Sequence, residues 1–183
     1  FFSRISYDKI FEIMNQELSD EDKNIIVNIA NGDINLIKKI DSSISEIYND
    51  LKIFIKSCYN FNYQYNEELI QRISILKRTD EIKLAMFFRI VMIYFKDLFV
   101  FSESKDIKYV VYKNLNNHYH KMINHYTKSE WNSCIDIVEN TFSNIYRNAS
   151  VPLLINGMLI ELHGIINRKN MEIFNMNDWL GNY

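Results

Sequence analysis

Apolar residues recur at intervals of three and four along most of the chain, a spacing that places them on one face of an α-helix. The first such series covers residues 10–18. The second follows Ser19 with acidic residues in its first turn, where the helix dipole favours them, and stops at Gly32. Asp33 is then placed to cap a third helix. The pattern therefore predicts three short helices within residues 1–43.

Longer apolar series occupy the rest of the chain. Pro152 stands in the first turn of the last one, where its missing N–H costs no hydrogen bond. The polar-aromatic stretch 60–66 and the charged stretch 102–108 lack an apolar period and are predicted loops, with Asn66 capping the helix that follows the first of them. The predicted longer helices cover residues 44–58, 66–76, 80–99, 109–126, 130–147 and 151–166.

Composition agrees with a helical chain. The 183 residues include only 4 glycines and 1 proline, too few for the turns that an all-β protein needs. Hydrophobic residues make up 48% and charged residues 24%, as in globular domains. We therefore expect an all-α protein: a small three-helix domain over residues 1–43, followed by a bundle of five or six helices over residues 44–183.

Charge and cysteine usage bear on the compartment and on partners. Lys and Arg number 21 against 23 Asp and Glu, so no overall basic field attracts nucleic acid or an anionic membrane. Cys58 and Cys134 lie in apolar series, which favours buried free thiols in a reducing cytosol over a single disulfide. The most apolar run, 84–101, contains Arg89, Lys96 and Asp97, so we expect a core helix and no membrane contact. The chain begins at Phe1 without an initiator methionine, which indicates a cut within a longer protein.

No motif for catalysis is found in the sequence. It has no phosphate-binding glycine loop and no nucleophile elbow. The one histidine cluster is His118, His120 and His125, and on a helix the first two point about 200° apart, so they cannot share a metal ion. We expect no cofactor, no metal and surface or interfacial histidines. The basic residues along 77–96 are interpreted as solvated charges at the rim of a helix joint, and not as a nucleic-acid site.

Two stretches together resemble a known family. Arg4-Ile5-Ser6 leads into a helix, and Ile25 to Ala30 is followed by Asn31-Gly32-Asp33-Ile34-Asn35-Leu36-Ile37. This series is similar to the small lid domain that follows the AAA+ ATPase core in clamp-loader subunits, where an A-x-G-S-x-R-x-A-L element opens the last helix of the lid.

The second stretch lies in the last two predicted helices. It comprises Ile135 to Glu139, Ile145 to Ser150, Leu153 to Ile155 and Leu159 to Leu162. It resembles the closing helices of the delta-prime subunits of bacterial DNA polymerase III, with their R-N-x-N/S joint before a leucine-rich helix. The two stretches bracket residues 4–168, which implies a lid followed by a helical collar domain.

One position departs from the motor subunits of that family. Subunits that hydrolyse ATP place an arginine in the lid element, and aligned on Gly32 that position is Asn35, whose neutral side chain cannot supply a cation to a γ-phosphate. The departure resembles delta-prime, a non-hydrolysing scaffold. The ATPase core lies outside this chain, so the resemblance implies a part that is not an enzyme by itself.

The resemblance implies a function in DNA replication. The collar helices would pack beside those of the gamma/tau and delta subunits in a cytoplasmic ring, and that ring would act indirectly on the sliding clamp and on primer-template DNA. A ring needs unlike surfaces on the two sides of each subunit. The candidate interface residues are Phe88, Tyr94, Arg147, Asn148, Leu153 and Leu159, which lie in or beside the two most apolar predicted helices.

A second interpretation comes from another class of protein. Viral Bcl-family inhibitors of apoptosis are also all-helical and non-catalytic, and the segment from Thr79 to Ala85 is similar to the opening of their central helix. Such a protein would bind one amphipathic partner helix in a groove. The sequence has no Trp-Gly pair at a helix joint, which is a departure from that family.

Overall fold

A computed structural model of the protein describes residues 18–30, 44–126, 130–147 and 150–167, together with Met14, Asp33, Leu36, Ile37 and Ile40. All regular elements in this part of the chain are helical, which confirms the all-α class. The α-helices described are α1 (Asp20–Ala30), α2 (Ile44–Asn60), α3 (Tyr63–Thr79), α4 (Glu81–Ser104), α5 (Asn116–His125), α6 (Trp131–Ile145) and α7 (Val151–Ile166). Two 3-10 turns, Ile107–Tyr109 and Lys113–Leu115, connect α4 to α5.

Helix α4 is the centre of the fold. It is 24 residues long, has 11 buried residues and packs against α1, α2, α3, α5 and α6. The side chain of Asp80 caps its start by accepting the N–H of Lys83 (3.0 Å), and Lys105 ends it in the left-handed conformation (φ 55°). The predicted core helix is confirmed, although it continues five residues beyond the predicted end at Phe99.

Two charged residues within α4, Arg89 and Asp97, form hydrogen bonds with other parts of the fold. The Arg89 guanidinium donates from Nη1 to the carbonyl oxygen of Ile29 at the end of α1 (2.6 Å), while Lys96 is exposed. Asp97 is 2% exposed, and its carboxylate accepts the N–H groups of Val111 (2.9 Å) and Tyr112 (2.8 Å). Among the described residues, no helix combines the length and the apolar character that crossing a membrane requires.

The joint between α2 and α3 differs from the predicted loop 60–66. The chain turns over only two residues, Phe61 and Asn62, and α3 begins at Tyr63. Asn62 is the N-cap, because its side chain accepts the N–H of Gln64 (2.9 Å), whereas Asn66, the predicted cap, is buried inside the helix. The prediction was wrong because the polar and aromatic residues of this stretch concealed the helical period.

The segment after α4 also differs from the prediction of one helix over 109–126. Asp97 takes up the N–H groups of Val111 and Tyr112, so the backbone there forms two 3-10 turns, and α5 begins only at Asn116. The buried carboxylate of Asp97, 14 residues before Val111 in the chain, accepts hydrogen bonds from N–H groups that a continuous helix would have used.

The front of the chain is described in part. Helix α1 follows the prediction, and the hydroxyl of Ser19 accepts the N–H of Asp22 (3.1 Å) as its cap. The side chain of Asp33 accepts the N–H of Leu36 (3.2 Å), as expected for the cap of a third helix. Apart from Met14 and Leu18, the first predicted helix lies outside the described residues, as do Gly32, Asn35 and residues 41–43 at the end of the predicted front domain.

Candidate subunit interface

Helix α7 holds its place through one face. Ile155, Met158, Leu159, Leu162 and Ile166 are buried, and α7 packs against α6, α3 and α2. These positions recur at intervals of three and four, so they form a continuous stripe. Proline in the first turn confirms the predicted start of this helix.

The outward face of α7 is also apolar. Leu153 is 71% exposed and Ile160 is 58% exposed, and seven residues along a helix returns to the same side. Gly157 lies between them, and a methyl group added there would meet no atom within 4 Å. Glu161 is the one Asp, Glu, Lys or Arg among the 16 residues of α7. The other exposed residues of α7 are Pro152, Asn156 and Glu161, so Leu153 and Ile160 are two large apolar side chains on a face with one charge, and this face is a candidate contact with another chain.

The carboxyl-terminal half of α7 meets the joint between α2 and α3. The imidazole of His163 lies 5.2 Å from the ring of Phe61, and its Nδ1 lies 3.2 Å from the carbonyl oxygen of Cys58 and 3.1 Å from the side-chain amide nitrogen of Asn167. Phe61 is 41% exposed, so it adds an aromatic surface beside the outward face of α7.

The predicted interface residues separate into three groups. Phe88, Tyr94 and Leu159 are fully buried within this chain, so they are core residues and offer no surface to a partner. Their prediction as contacts was wrong, because periodicity marks an apolar face without showing what covers it. Leu153 and Arg147 are exposed, as a contact requires. Asn148 lies outside the described residues.

A second surface lies where α4 begins and α6 ends. Ile82 and Tyr146 are each 43% exposed, and the ring of Phe142 lies 5.2 Å from that of Tyr146. Lys77 places its ammonium group 4.3 Å above the Tyr146 ring. A cleft of about 420 Å³ adjoins these residues; its largely apolar lining comprises Asp33, Leu36, Glu81, Ile82, Ala85, Met86, Arg89, Met92 and Phe142.

The clustered histidines do not form a metal site in the described part of the chain. His118 is half-buried, and its Nε2 lies 2.8 Å from the hydroxyl of Tyr94, which donates to the hydroxyl of Tyr59 (3.0 Å). Burial, and then the charge of Lys121, lowers the pKa of His118 below its usual value. His120 and His125 are exposed. Within the described ranges, no group of three or more His, Cys, Asp or Glu side chains is placed to hold a metal ion.

The two cysteines are buried. Cys58 and Cys134 do not form a disulfide bond, and burial raises the pKa of Cys58 well above its usual value. A buried thiol of raised pKa is a poor nucleophile, so Cys58 belongs to the core.

Two features of this surface were missed by the sequence reasoning. Ile160 follows Leu153 by seven residues, and the near absence of charge in α7 is a signal that this face is not built for water. The second feature is the pair of exposed aromatic residues Phe61 and Tyr63, which lie in the predicted loop 60–66 and were not predicted to form part of a surface.

Comparison with protein-family models, with curated proteins and with solved structures found no match to this chain.

Proposed function

We propose that this chain is the lid and collar part of a clamp-loader subunit of the delta-prime type, a non-catalytic scaffold that assembles with sister subunits. The observation that carries the proposal is the outward face of α7, where Leu153 and Ile160 are exposed on a helix with a single charged residue. In this proposal a helix of a gamma/tau or delta subunit covers that face.

A ring-forming subunit needs a second, unlike surface. The exposed residues Ile82 and Tyr146 supply one, on other helices than α7 and with different chemistry, since Lys77 lies over the Tyr146 ring. Arg147 follows directly and is exposed. Two distinct apolar surfaces on one chain support heterologous assembly over a simple symmetric dimer.

The front of the chain agrees with the lid element. Helix α1 ends at Ala30, the N–H of Asp33 donates to the carbonyl oxygen of Ala30 (3.1 Å), and the side chain of Asp33 caps the turn at Leu36. A helix that is followed by a capped turn supports the order that the resemblance implies. Arg89 joins this front part to the central helix of the proposed collar through Ile29.

The test is assembly with the gamma/tau and delta subunits encoded by the same organism. The wild-type chain is expected to elute with them as one complex in size-exclusion chromatography. The double variant Leu153→Asp and Ile160→Asp should lose at least about tenfold in affinity, because it places two charges at the centre of the proposed contact. Ile75→Asp is the matched control, since Ile75 is 52% exposed on α3.

The outcomes of this experiment test the proposed function and the proposed contact face separately. Both variants should keep the wild-type melting temperature, because the substituted side chains are exposed. Failure of the folded wild-type chain to join the complex would contradict the proposed function. Equal assembly of the double variant and of the control would show that the α7 face is not the contact.

A second candidate function is favoured by the cleft beside α4. A long apolar helix at the centre of a bundle, with a cleft of about 420 Å³ along it, is also the arrangement of a groove that receives one amphipathic helix. Binding of such a peptide, lost in Ala85→Arg and unchanged in the α7 double variant, would favour this Bcl-like function over the clamp-loader proposal.

A further inference from the structure

The sequence around the joint between α2 and α3 differs in charge from the rest of the chain. Residues 51–66 contain no Asp or Glu, although the whole chain carries 23 of them. They contain two lysines, Lys52 and Lys56, and an aromatic residue at every second position from Tyr59 to Tyr65. Aromatic rings alternating with amides and flanked by lysines are a pattern that suits unpaired bases and phosphates.

Part of this aromatic series is exposed to solvent at the joint. Tyr63 is 79% exposed and Phe61 is 41% exposed, whereas Tyr59 is buried at 8% and hydrogen-bonds to Tyr94. The exposed rings therefore do not contribute to the core as Tyr59 does. Large aromatic side chains exposed two residues apart at a turn are typical of a recognition surface.

The backbone holds the joint in a fixed shape. Phe61 has φ 44°, a left-handed conformation that costs a non-glycine residue free energy. The conformation is maintained by the Asn62 cap on Gln64 and by the packing of the Phe61 ring against His163. The Phe61 ring is thus held in one place by its neighbours, which lowers the entropy cost of stacking a base on it.

Positive charge lies beside Tyr65, the last ring of the aromatic series. Lys56 is exposed and places its ammonium group 4.9 Å from the centre of the Tyr65 ring, and Lys52 is exposed one turn earlier on the same helix. The structure gives neither lysine an ion-pair partner among the described residues. Their charge is therefore free to meet phosphate groups.

We propose that Phe61, Tyr63, Lys52 and Lys56 form a platform that binds single-stranded nucleic acid, with bases stacked on the two rings and phosphates on the two lysines. A duplex offers few unstacked bases, so the platform should bind single strands more tightly than duplexes. The inference does not rest on the proposed clamp-loader function, because the platform uses residues of α2, α3 and the joint between them and needs no partner subunit, although the Phe61 ring also packs against His163 of α7.

The chain offers a matched control at another site. Tyr109 is 60% exposed with the ammonium group of Lys108 4.5 Å from its ring centre, but Asp106 pairs with Lys108 at 2.8 Å. This second aromatic and lysine pair is neutralised, so it should not bind phosphate.

The experiment measures fluorescence anisotropy of a labelled 20-nucleotide oligothymidylate and of a duplex of equal length, titrated with the full chain. Tyr63→Ala should weaken single-strand binding at least about fivefold, because one stacked base is lost. Lys56→Gln should lower the slope of log affinity against log salt by about 0.7, the contribution of one phosphate contact on a single strand. Tyr109→Ala should bind as the wild type does.

The proposal is overturned by three results: no binding of the oligonucleotide by the folded chain, equal binding of the duplex, or equal loss in Tyr63→Ala and Tyr109→Ala. If instead Tyr63→Ala leaves DNA binding at wild-type strength and weakens assembly with sister subunits, the platform is a protein contact and the nucleic-acid inference is wrong. Assembly of the wild-type chain without DNA binding would leave the proposed function intact.

Discussion

The guanidinium of Arg89 donates a hydrogen bond to the carbonyl oxygen of Ile29, 60 residues earlier in the chain (2.6 Å). Arg89 lies within the central helix α4, and Ile29 lies in the last turn of α1, where carbonyl groups lack partners inside their own helix. One charged side chain thereby satisfies a helix end and attaches the front of the chain to the bundle.

Removing this contact should loosen α1. Arg89→Met keeps the apolar part of the side chain but leaves the Ile29 carbonyl without its donor, so α1 should lose about 1.5 to 3 kcal/mol of local stability. Hydrogen exchange of the amides in residues 20–30 is the measurement. Arg78→Met is the control, because the Arg78 guanidinium is exposed and donates to the carbonyl oxygen of Ser74 in its own helix. Unchanged exchange in Arg89→Met would show that apolar packing alone holds α1.

The buried carboxylate of Asp97 should be needed for the segment between α4 and α5. It accepts hydrogen bonds from Val111, Tyr112 and, at 3.1 Å, the hydroxyl of Tyr119. Asp97→Asn replaces one accepting oxygen by a donating amide, which leaves a buried N–H unsatisfied at a cost of about 1 to 3 kcal/mol. Urea denaturation should show this loss, whereas the exposed control Glu103→Gln should change stability by less than about 0.5 kcal/mol.

Stability should rise with pH through the titration of His118. Burial lowers the pKa of His118 in the folded chain, so the unfolded chain binds more protons as pH falls below about 6.5. The free energy of unfolding should therefore decrease from about pH 8 to about pH 5. His118→Gln keeps a polar group near Tyr94 without a titrating one, and urea midpoints should show a flatter profile. If the stability of His118→Gln has the same pH profile as the wild type, another titrating group causes the pH dependence.

Two leucines of α7 should respond oppositely to truncation. Leu159 is fully buried, so Leu159→Ala should cost about 2 to 5 kcal/mol through lost burial and the cavity that remains. Leu153 is 71% exposed, so Leu153→Ala should stay within about 0.5 kcal/mol of the wild type. Thermal unfolding of the two variants tests this division of α7 into an inner and an outer face. Equal destabilisation would mean that Leu153 is covered within the chain.

The sequence predicted those elements whose ends carry local signals. Asp80 and Pro152 mark helix starts by their own chemistry, and both predictions are confirmed. The segment around Val111 and Tyr112 could not be predicted, because its conformation depends on a carboxylate in another helix. Long-range hydrogen bonds of this kind leave no periodic pattern.

The candidate interface was predicted in part for a related reason. Apolar spacing identified α4 and α7 as the most hydrophobic helices, but α4 is surrounded by other helices whereas α7 is covered on one side. Which of two apolar helices lies at the centre depends on how the elements pack, so Phe88 and Tyr94 were expected as contacts and are core residues. The low charge of α7 was the one signal of its outer face.

Photocrosslinking tests the central claim most directly. A photoreactive p-benzoylphenylalanine replaces Leu153 on the outer face of α7, or Ile75 on α3 as the control, since both positions are more than half exposed. In a mixture with the gamma/tau and delta subunits of the same organism, the claim predicts a crosslink from position 153 to a sister subunit and none from position 75. No crosslink from position 153 in a folded chain, or equal crosslinking from both positions, would contradict it.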